Sequence, residues 1–253
     1  MDIGLDAGGA FLHHAAMSLR PRARYIRCVG FTLGVSTWAL TRQLIREDPR
    51  VLRAHTRAWA RGIARRAKMN VEAYGTWRLD PQGTYVLMAN HQSLLDVPAL
   101  FNALPMVPGF LAKAELRRVP AFGRAMEMGG HVFVDRGKHE RAIEAVAAAA
   151  EDLRTGGTLV IFPEGTRSPR REVLPFKKGG FHLARQAGVP IVPVGIRGTG
   201  EAVPKGSFEA HPAFAEIHVG EPIEPEVVTS EPLEALVSRV RREVATLADL
   251  PLV

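Results

Sequence analysis

A histidine followed five residues later by an aspartate, directly behind an apolar run, has the parts of a general base and its orienting carboxylate. That arrangement occurs in Asn90-His91-Gln92-Ser93-Leu94-Leu95-Asp96, which follows the run Thr84–Ala89 (TYVLMA). The Asp96 carboxylate can accept from one ring nitrogen of His91 and fix the tautomer, leaving the other nitrogen free to take a proton. Alone the spacing is weak, because a lone His–Asp pair is more often structural than catalytic. A second block, Phe162-Pro163-Glu164-Gly165-Thr166-Arg167-Ser168, also follows an apolar run. Its glycine turn, hydroxyls and guanidinium suit a phosphate. Equally, Glu164 and Arg167 could pair with each other in a surface loop.

Other reaction classes lack their residues. No G-x-S-x-G is present for a nucleophile-elbow hydrolase, and no G-x4-G-K-[ST] for a P-loop enzyme. His13-His14 and His139-Glu140 do not form H-E-x-x-H, and His182 and His211 read as scattered core or surface residues, so no metal site is expected. One cysteine, Cys28, excludes an internal disulfide framework.

Two more blocks complete a pattern: Gly130-His131-Val132-Phe133-Val134-Asp135-Arg136 and Val189-Pro190-Ile191-Val192-Pro193-Val194. In this order and spacing the four blocks resemble the motifs of the glycerolipid acyltransferase family, over roughly residues 73–225. The similarity is greatest to its bacterial 1-acylglycerol-3-phosphate acyltransferases, and no motif position departs from the pattern.

The resemblance implies transfer of a fatty acyl group from a thioester to the free sn-2 hydroxyl of lysophosphatidic acid, giving phosphatidic acid for phospholipid biosynthesis. His91 matches the family's base and Asp96 its orienter. Glu164, Gly165, Thr166 and Arg167 match the block that binds the acceptor's phosphate. Arg136 and Lys113 match further acceptor-phosphate residues, and Pro193 the block associated with the acyl donor. Ser93 is read as a supporting polar residue rather than a nucleophile. No cofactor is expected, with acyl-CoA or acyl carrier protein thioester as co-substrate. Another lysophospholipid or a lyso-aminolipid as acceptor, and an inactive membrane-bound adaptor of the same fold, stay open. So do acyl-chain length and oligomeric state.

These residues need a scaffold, and the chain supplies two kinds of sequence. Residues 1–68 carry 13 Lys/Arg against 4 Asp/Glu, while residues 69–253 carry 20 against 22. The basic excess is therefore N-terminal and points to a polyanion partner. Residues 25–46 read as a helix apolar over most of its circumference. Pro49 is placed to start a second helix, in which Arg50, Arg53, Arg57, Arg61, Arg65 and Lys68 form one stripe opposite Leu52, Trp59 and Ile63. This predicts a pair of helices lying on an anionic membrane surface. Docking of the apolar stripe on the protein's own body is the competing reading, and nucleic acid is not expected, since no nucleic-acid motif accompanies the charge. The longest uncharged stretch of this N-terminal segment, Cys28–Thr41, is shorter than the ~20 residues of a membrane span. No secretory signal is read at the start, so the expected place is the cytoplasmic face of the inner membrane, peripheral or monotopic.

From Thr76 onward, short apolar runs at Thr84–Ala89, His131–Val134, Thr158–Phe162, Ile191–Ile196 and Glu216–Val219 alternate with helical segments at Leu94–Leu104, Arg141–Leu153, Gly180–Gln186 and Pro232–Leu247. The fold class expected is α/β, a central, mostly buried sheet flanked by helices. The division expected is 1–72 for the membrane-associating element and 73–253 for a catalytic domain.

Overall fold

Tyr85–Ala89 is apolar on both faces of an extended chain, and only a strand covered on both sides can use such a run. A computed structural model describes residues 7–45, 49–134 and 139–253. In it this segment (β2) lies near the middle of a seven-stranded sheet. With β1 (Met69–Tyr74), β3 (Gly109–Lys113), β4 (Val132–Val134), β5 (Thr158–Ile161), β6 (Ile191–Arg197) and β7 (Ala213–Val219), the order is β1-β7-β6-β2-β5-β3-β4. β6, β2, β5, β3 and β4 are mutually parallel, whereas β7 runs antiparallel to β6 and carries β1 with it. The sheet is therefore mixed. The C-terminal ends of β2, β3, β4, β5 and β6 share one edge, where open α/β sheets bind ligands.

Helices cover both faces. Ala60, Ile63, Ala64 and Ala67 of α2 (Pro49–Ala67) and Ala99, Leu100 and Phe101 of α3 (Asp96–Ala103) join Leu87, Val192 and Ile217 in one buried cluster. On the other face α5 (His139–Arg154), α6 (Gly179–Ala187) and α9 (Leu233–Ala248) enclose Val86, Met88 and Ile161. The short helices α4 (Phe122–Met128), α7 (Thr199–Ala202) and α8 (Pro225–Ser230) fill the connections.

The N-terminal helices differ from expectation. The first, α1, spans Ala7–Ile45, so it begins well before the residue 25 expected and continues through Pro21. The Pro21 carbonyl accepts from the Ala210 N–H at 3.1 Å, and Arg24 donates to the Ala210 carbonyl, so the loop around Ala210 braces the helix there. The apolar stripe of α2 is buried in protein and not turned outward. Ile63 sits in the core, and Trp59 packs edge-on against Phe101 and donates its indole N–H to Thr32 of α1. Gly62 permits the close approach of the two helices, since a Cβ there would fall 2.2 Å from the Phe31 ring. The basic stripe is interrupted too. Arg53, Arg61 and Arg65 are exposed, but Arg57 is half-buried and donates to the carbonyls of Leu104 and Pro105. The outward apolar surface is instead on α1, at Ile26, Val29, Leu33 and Trp38. Among the described residues no helix is long and apolar enough to cross a membrane.

β1 straddles residue 72 and pairs with β7 along its whole length, so the N-terminal segment feeds directly into the sheet.

Candidate active site

The site begins where β2 ends. Asn90 is fully buried and ties β2 to β6 through both ends of its amide. Its Nδ2 donates to the Ile196 carbonyl at 2.9 Å, and its Oδ1 accepts the Ile196 N–H at 2.7 Å. The chain then leaves the sheet at His91, whose backbone is held on both sides. The His91 N–H donates to Glu164 Oε1 at 2.7 Å, and its carbonyl accepts the Ser168 N–H at 2.7 Å.

His91 Nδ1 lies 2.7 Å from Asp96 Oδ2, in the first turn of α3. Asp96 is fully buried, and its Oδ2 also accepts the N–H groups of Gln92 (2.8 Å) and Ser93 (3.0 Å), while Oδ1 accepts from Thr199 Oγ1. A carboxylate so surrounded cannot turn, and because it only accepts, Nδ1 must carry the proton. The tautomer is thereby fixed with Nε2 as the proton acceptor. The His91 side chain is 18% exposed, so that nitrogen remains reachable from the cleft, and its ring stacks on Phe162 at 4.1 Å.

The second block wraps beneath. Gly165 adopts φ +71°, and a Cβ there would lie 2.9 Å from the Lys177 side chain, so the turn requires glycine. Glu164 does not sit where the resemblance implies. It is 3% exposed, and its two carboxylate oxygens accept backbone N–H groups, from His91 and, at 3.1 Å, from Leu174. A buried carboxyl group with both oxygens occupied by the backbone is a support for the loops, not a contact for an anionic acceptor. Burial pushes its carboxyl up to about 7, with Asp96 raising it further and the two N–H donors and Arg241 acting in the opposite direction.

Thr166 is exposed and Arg167 half-exposed at the mouth of the site, and among the described residues Arg167 has no ion pair. Lys113 ends β3 and pairs with Glu115 at 2.9 Å in solvent. Arg136 lies outside the described residues. Ser93 is fully buried and donates to the Val203 carbonyl at 2.9 Å while accepting the Leu95 N–H, so its hydroxyl is committed to the loop. Pro193 is likewise placed in the sheet and not at the cleft. It lies opposite Met88, four residues before the end of β6, and its carbonyl accepts the Gly220 N–H where the β6–β7 pairing ends. Its missing N–H suits that position. Cys28 is half-buried on α1, where burial pushes its thiol up and Arg66 and Arg27 partly offset this.

Sequence reasoning did not find Asn90, Thr199 or Lys205 as parts of the site. Asn90 and Ser168 lie within the two sequence blocks, but nothing local shows that Asn90 ties β2 to β6 or that the Ser168 N–H meets the His91 carbonyl. Thr199 reaches Asp96 across 103 positions, and Lys205 Nζ reaches Thr166 Oγ1 at 3.3 Å across 39. No local signal marks either one.

A family model described as Acyltransferase matches residues 70–197. The chain is 36% identical over 182 residues to the human 1-acyl-sn-glycerol-3-phosphate acyltransferase alpha, covering 71% of this chain and 64% of that protein. It is 36% identical over 170 residues to the 1-acyl-sn-glycerol-3-phosphate acyltransferase of Saccharomyces cerevisiae, covering 66% and 56%. It thus spans less than two thirds of the length of these relatives. Among solved structures, that of the 1-acyl-sn-glycerophosphate (LPA) acyltransferase PlsC from Thermotoga maritima superposes with a TM-score of 0.80 at 27% identity. The match covers 92% of this chain and 96% of that one.

Proposed function

The chain belongs to the acyltransferase family, and from that premise we propose that it transfers a fatty acyl group from a thioester to the free sn-2 hydroxyl of lysophosphatidic acid. The observation that carries the reading is the His91–Asp96 pair, with Nδ1 bound at 2.7 Å and Nε2 left to accept. His91 Nε2 takes the hydroxyl proton as the oxygen attacks the thioester carbonyl. The tetrahedral oxyanion collapses, the C–S bond breaks, and the thiolate of coenzyme A or acyl carrier protein leaves and recovers the proton from His91. A covalent acyl-enzyme is disfavoured, because Ser93 is buried in its own hydrogen bonds and Cys28 stands on α1.

Arg167, Thr166 and Lys113 would bind the acceptor's phosphate monoester, with Arg136 joining them by resemblance. The acyl chain would meet apolar surface here: from His91 the rings of Phe162, Phe110 and Phe101 follow one another at 4.1, 6.1 and 5.1 Å, and Phe101 also lines an apolar cavity with Val35, Ala39 and Trp59. Peripheral attachment through the exposed apolar face of α1 would bring the site to its lipid acceptor.

The test is thiol release from acyl-CoA or acyl carrier protein across lysophosphatidic acid, glycerol 3-phosphate, lysophosphatidylethanolamine and a lyso-ornithine lipid. Release confined to lysophosphatidic acid, and abolished by His91→Ala, is expected. Release with a different acceptor would overturn the phosphate-monoester assignment, and unchanged turnover in His91→Ala would remove the base.

A further inference from the structure

His91 lies between two basic groups on opposite sides of its strand. The sheet order places β5, β3 and β4 to one side of β2, with Arg167 after β5 and Lys113 at the end of β3. To the other side lies β6, and at its end opens a cavity of about 160 Å³ that also borders Gln92, the residue next to His91. Among the described residues four cations line this cavity, Arg170, Arg171, Arg197 and Lys205, against two carboxylates, Glu201 and Asp249. Arg171 is neutralised by Glu201 at 2.6 Å, and Arg197 donates to the Leu247 carbonyl at 2.8 Å and approaches Glu216. Arg170 and Lys205 have no ion pair among the described residues. Lys205 Nζ reaches Thr166, and Gln92 Nε2 donates to the Arg170 carbonyl at 3.4 Å. The cavity is therefore tied on both sides to the loops that carry the chemistry, and it holds two cations without an ion pair among the described residues.

We propose that this cavity binds the phosphate of the acyl donor's 4′-phosphopantetheine arm. The inference rests on the acyl-transfer reading. That reaction brings two phosphate-bearing molecules to one imidazole, and each needs its own cationic receptor. The acceptor's monoester is accounted for on the β3 side, which leaves the β6 side for the donor. Both donors, coenzyme A and carrier protein, present the acyl group as a thioester on pantetheine with a phosphate ester at its far end. One receptor thus serves either. Arg170 supplies a planar fork and Lys205 a mobile point charge, a pairing suited to a phosphate oxygen that must be held while the thioester end is aligned.

The experiment compares one acyl chain carried on coenzyme A, on carrier protein, on 4′-phosphopantetheine and on pantetheine. Each is assayed with wild type, Arg170→Ala, Lys205→Ala and the double variant, with melting temperatures confirming folded protein. Wild type should favour acyl-phosphopantetheine over acyl-pantetheine by on the order of 10-fold or more in kcat/KM, expressed in KM. The double variant should lose that preference, and Lys205→Arg should keep it. Coenzyme A and carrier-protein donors should weaken to similar extents. An undiminished preference in the double variant would overturn the proposal, as would a rise in KM confined to lysophosphatidic acid. A penalty confined to coenzyme A would also overturn it, by assigning the cavity to the adenosine phosphates. Absence of thiol release from all four donors with wild type would instead remove the acyl-transfer reading itself.

Discussion

Glu164 grips His91 by its backbone: one carboxylate oxygen accepts the His91 N–H at 2.7 Å while the other accepts the N–H of Leu174 at 3.1 Å. The two loops at the mouth of the sheet are thus joined through one buried acid. Substitution Glu164→Gln keeps the size but offers a single acceptor, leaving an N–H facing an NH2. About 1–3 kcal/mol of stability should be lost, with kcat falling on the order of 10-fold as the imidazole loses its fixed position. Thermal denaturation and steady-state kinetics read the two effects, and unchanged kcat would refute the positioning role.

The same carboxyl should make activity and stability run in opposite directions with pH. Burial raises it from 4.5 to about 7, Asp96 adds to the rise, and the His91 and Leu174 N–H groups and Arg241 oppose it. A raised value means that its stability contribution is fully present below the unfolded value and is lost as pH climbs through 7, at most about 3 kcal/mol. The ionised form is the one that accepts both N–H groups, so kcat/KM should rise over that window while this contribution to the melting temperature falls. Glu164→Gln should flatten the Glu164 component of both curves. Parallel profiles in variant and wild type would show that another group is responsible.

Asp96 and Thr199 should separate orientation from support. Asp96→Asn replaces an acceptor with a group that can donate, so His91 loses the tautomer that leaves Nε2 free. A fall on the order of 10³-fold or more in kcat is expected, with KM little changed. Thr199→Ala removes only the hydroxyl that steadies Asp96 Oδ1, and about 10-fold is expected. Equal losses in the two variants would mean that Thr199 itself contacts the reacting groups.

Much of this site was readable along the chain because its parts are local. His91 and Asp96 are five residues apart at the start of a helix, and the turn at Gly165 announces itself by residue type. What was not readable depends on the sheet. Thr199 meets Asp96 only because β6 lies beside β2, and Glu164 faces the backbone of His91 only because β5 lies on the other side. The edge strand β1 was missed because MNVEAY carries polar residues at exposed positions, and β3 because it is short and ends in Lys113. The stripe on α2 showed that one face was apolar, but periodicity cannot distinguish a lipid surface from a sheet as the thing it covers.

His131 gives a second pH effect, of opposite sign. It packs against Phe110 and Phe101, its buried Nδ1 has no hydrogen-bond partner among the described residues, and burial lowers its value from 6.5 to about 4. A lowered value means stability present above 6.5 and lost as pH falls towards 4, because only the unfolded chain readily takes the proton. His131→Phe removes the titrating group and the unpaired nitrogen together. The variant should be more stable than wild type by about 1–2 kcal/mol at pH 7.5, and its advantage should grow as pH is lowered to 5. A constant difference in melting temperature would place the acid sensitivity elsewhere.

The proposed membrane contact can be tested by substitutions that distinguish the two N-terminal helices. Ile26 and Leu33 lie seven residues apart on α1 and are exposed, with Val29 between them on the same face, whereas the apolar stripe of α2 is covered by protein. If lipid covers α1, Ile26→Glu with Leu33→Glu should lower affinity for vesicles containing phosphatidylglycerol by on the order of 10-fold or more, with little change in melting temperature. Reversing the exposed Arg53 and Arg61 to Glu should weaken binding less and flatten its dependence on salt, since such contacts are screened beyond about 10 Å at 0.1 M. Arg57→Ala serves as the contrast. Its guanidinium is spent on the carbonyls of Leu104 and Pro105, so its loss should destabilise the fold and leave vesicle binding intact. Sedimentation of the Ile26/Leu33 variant with vesicles at the wild-type level would show that α1 does not make the lipid contact.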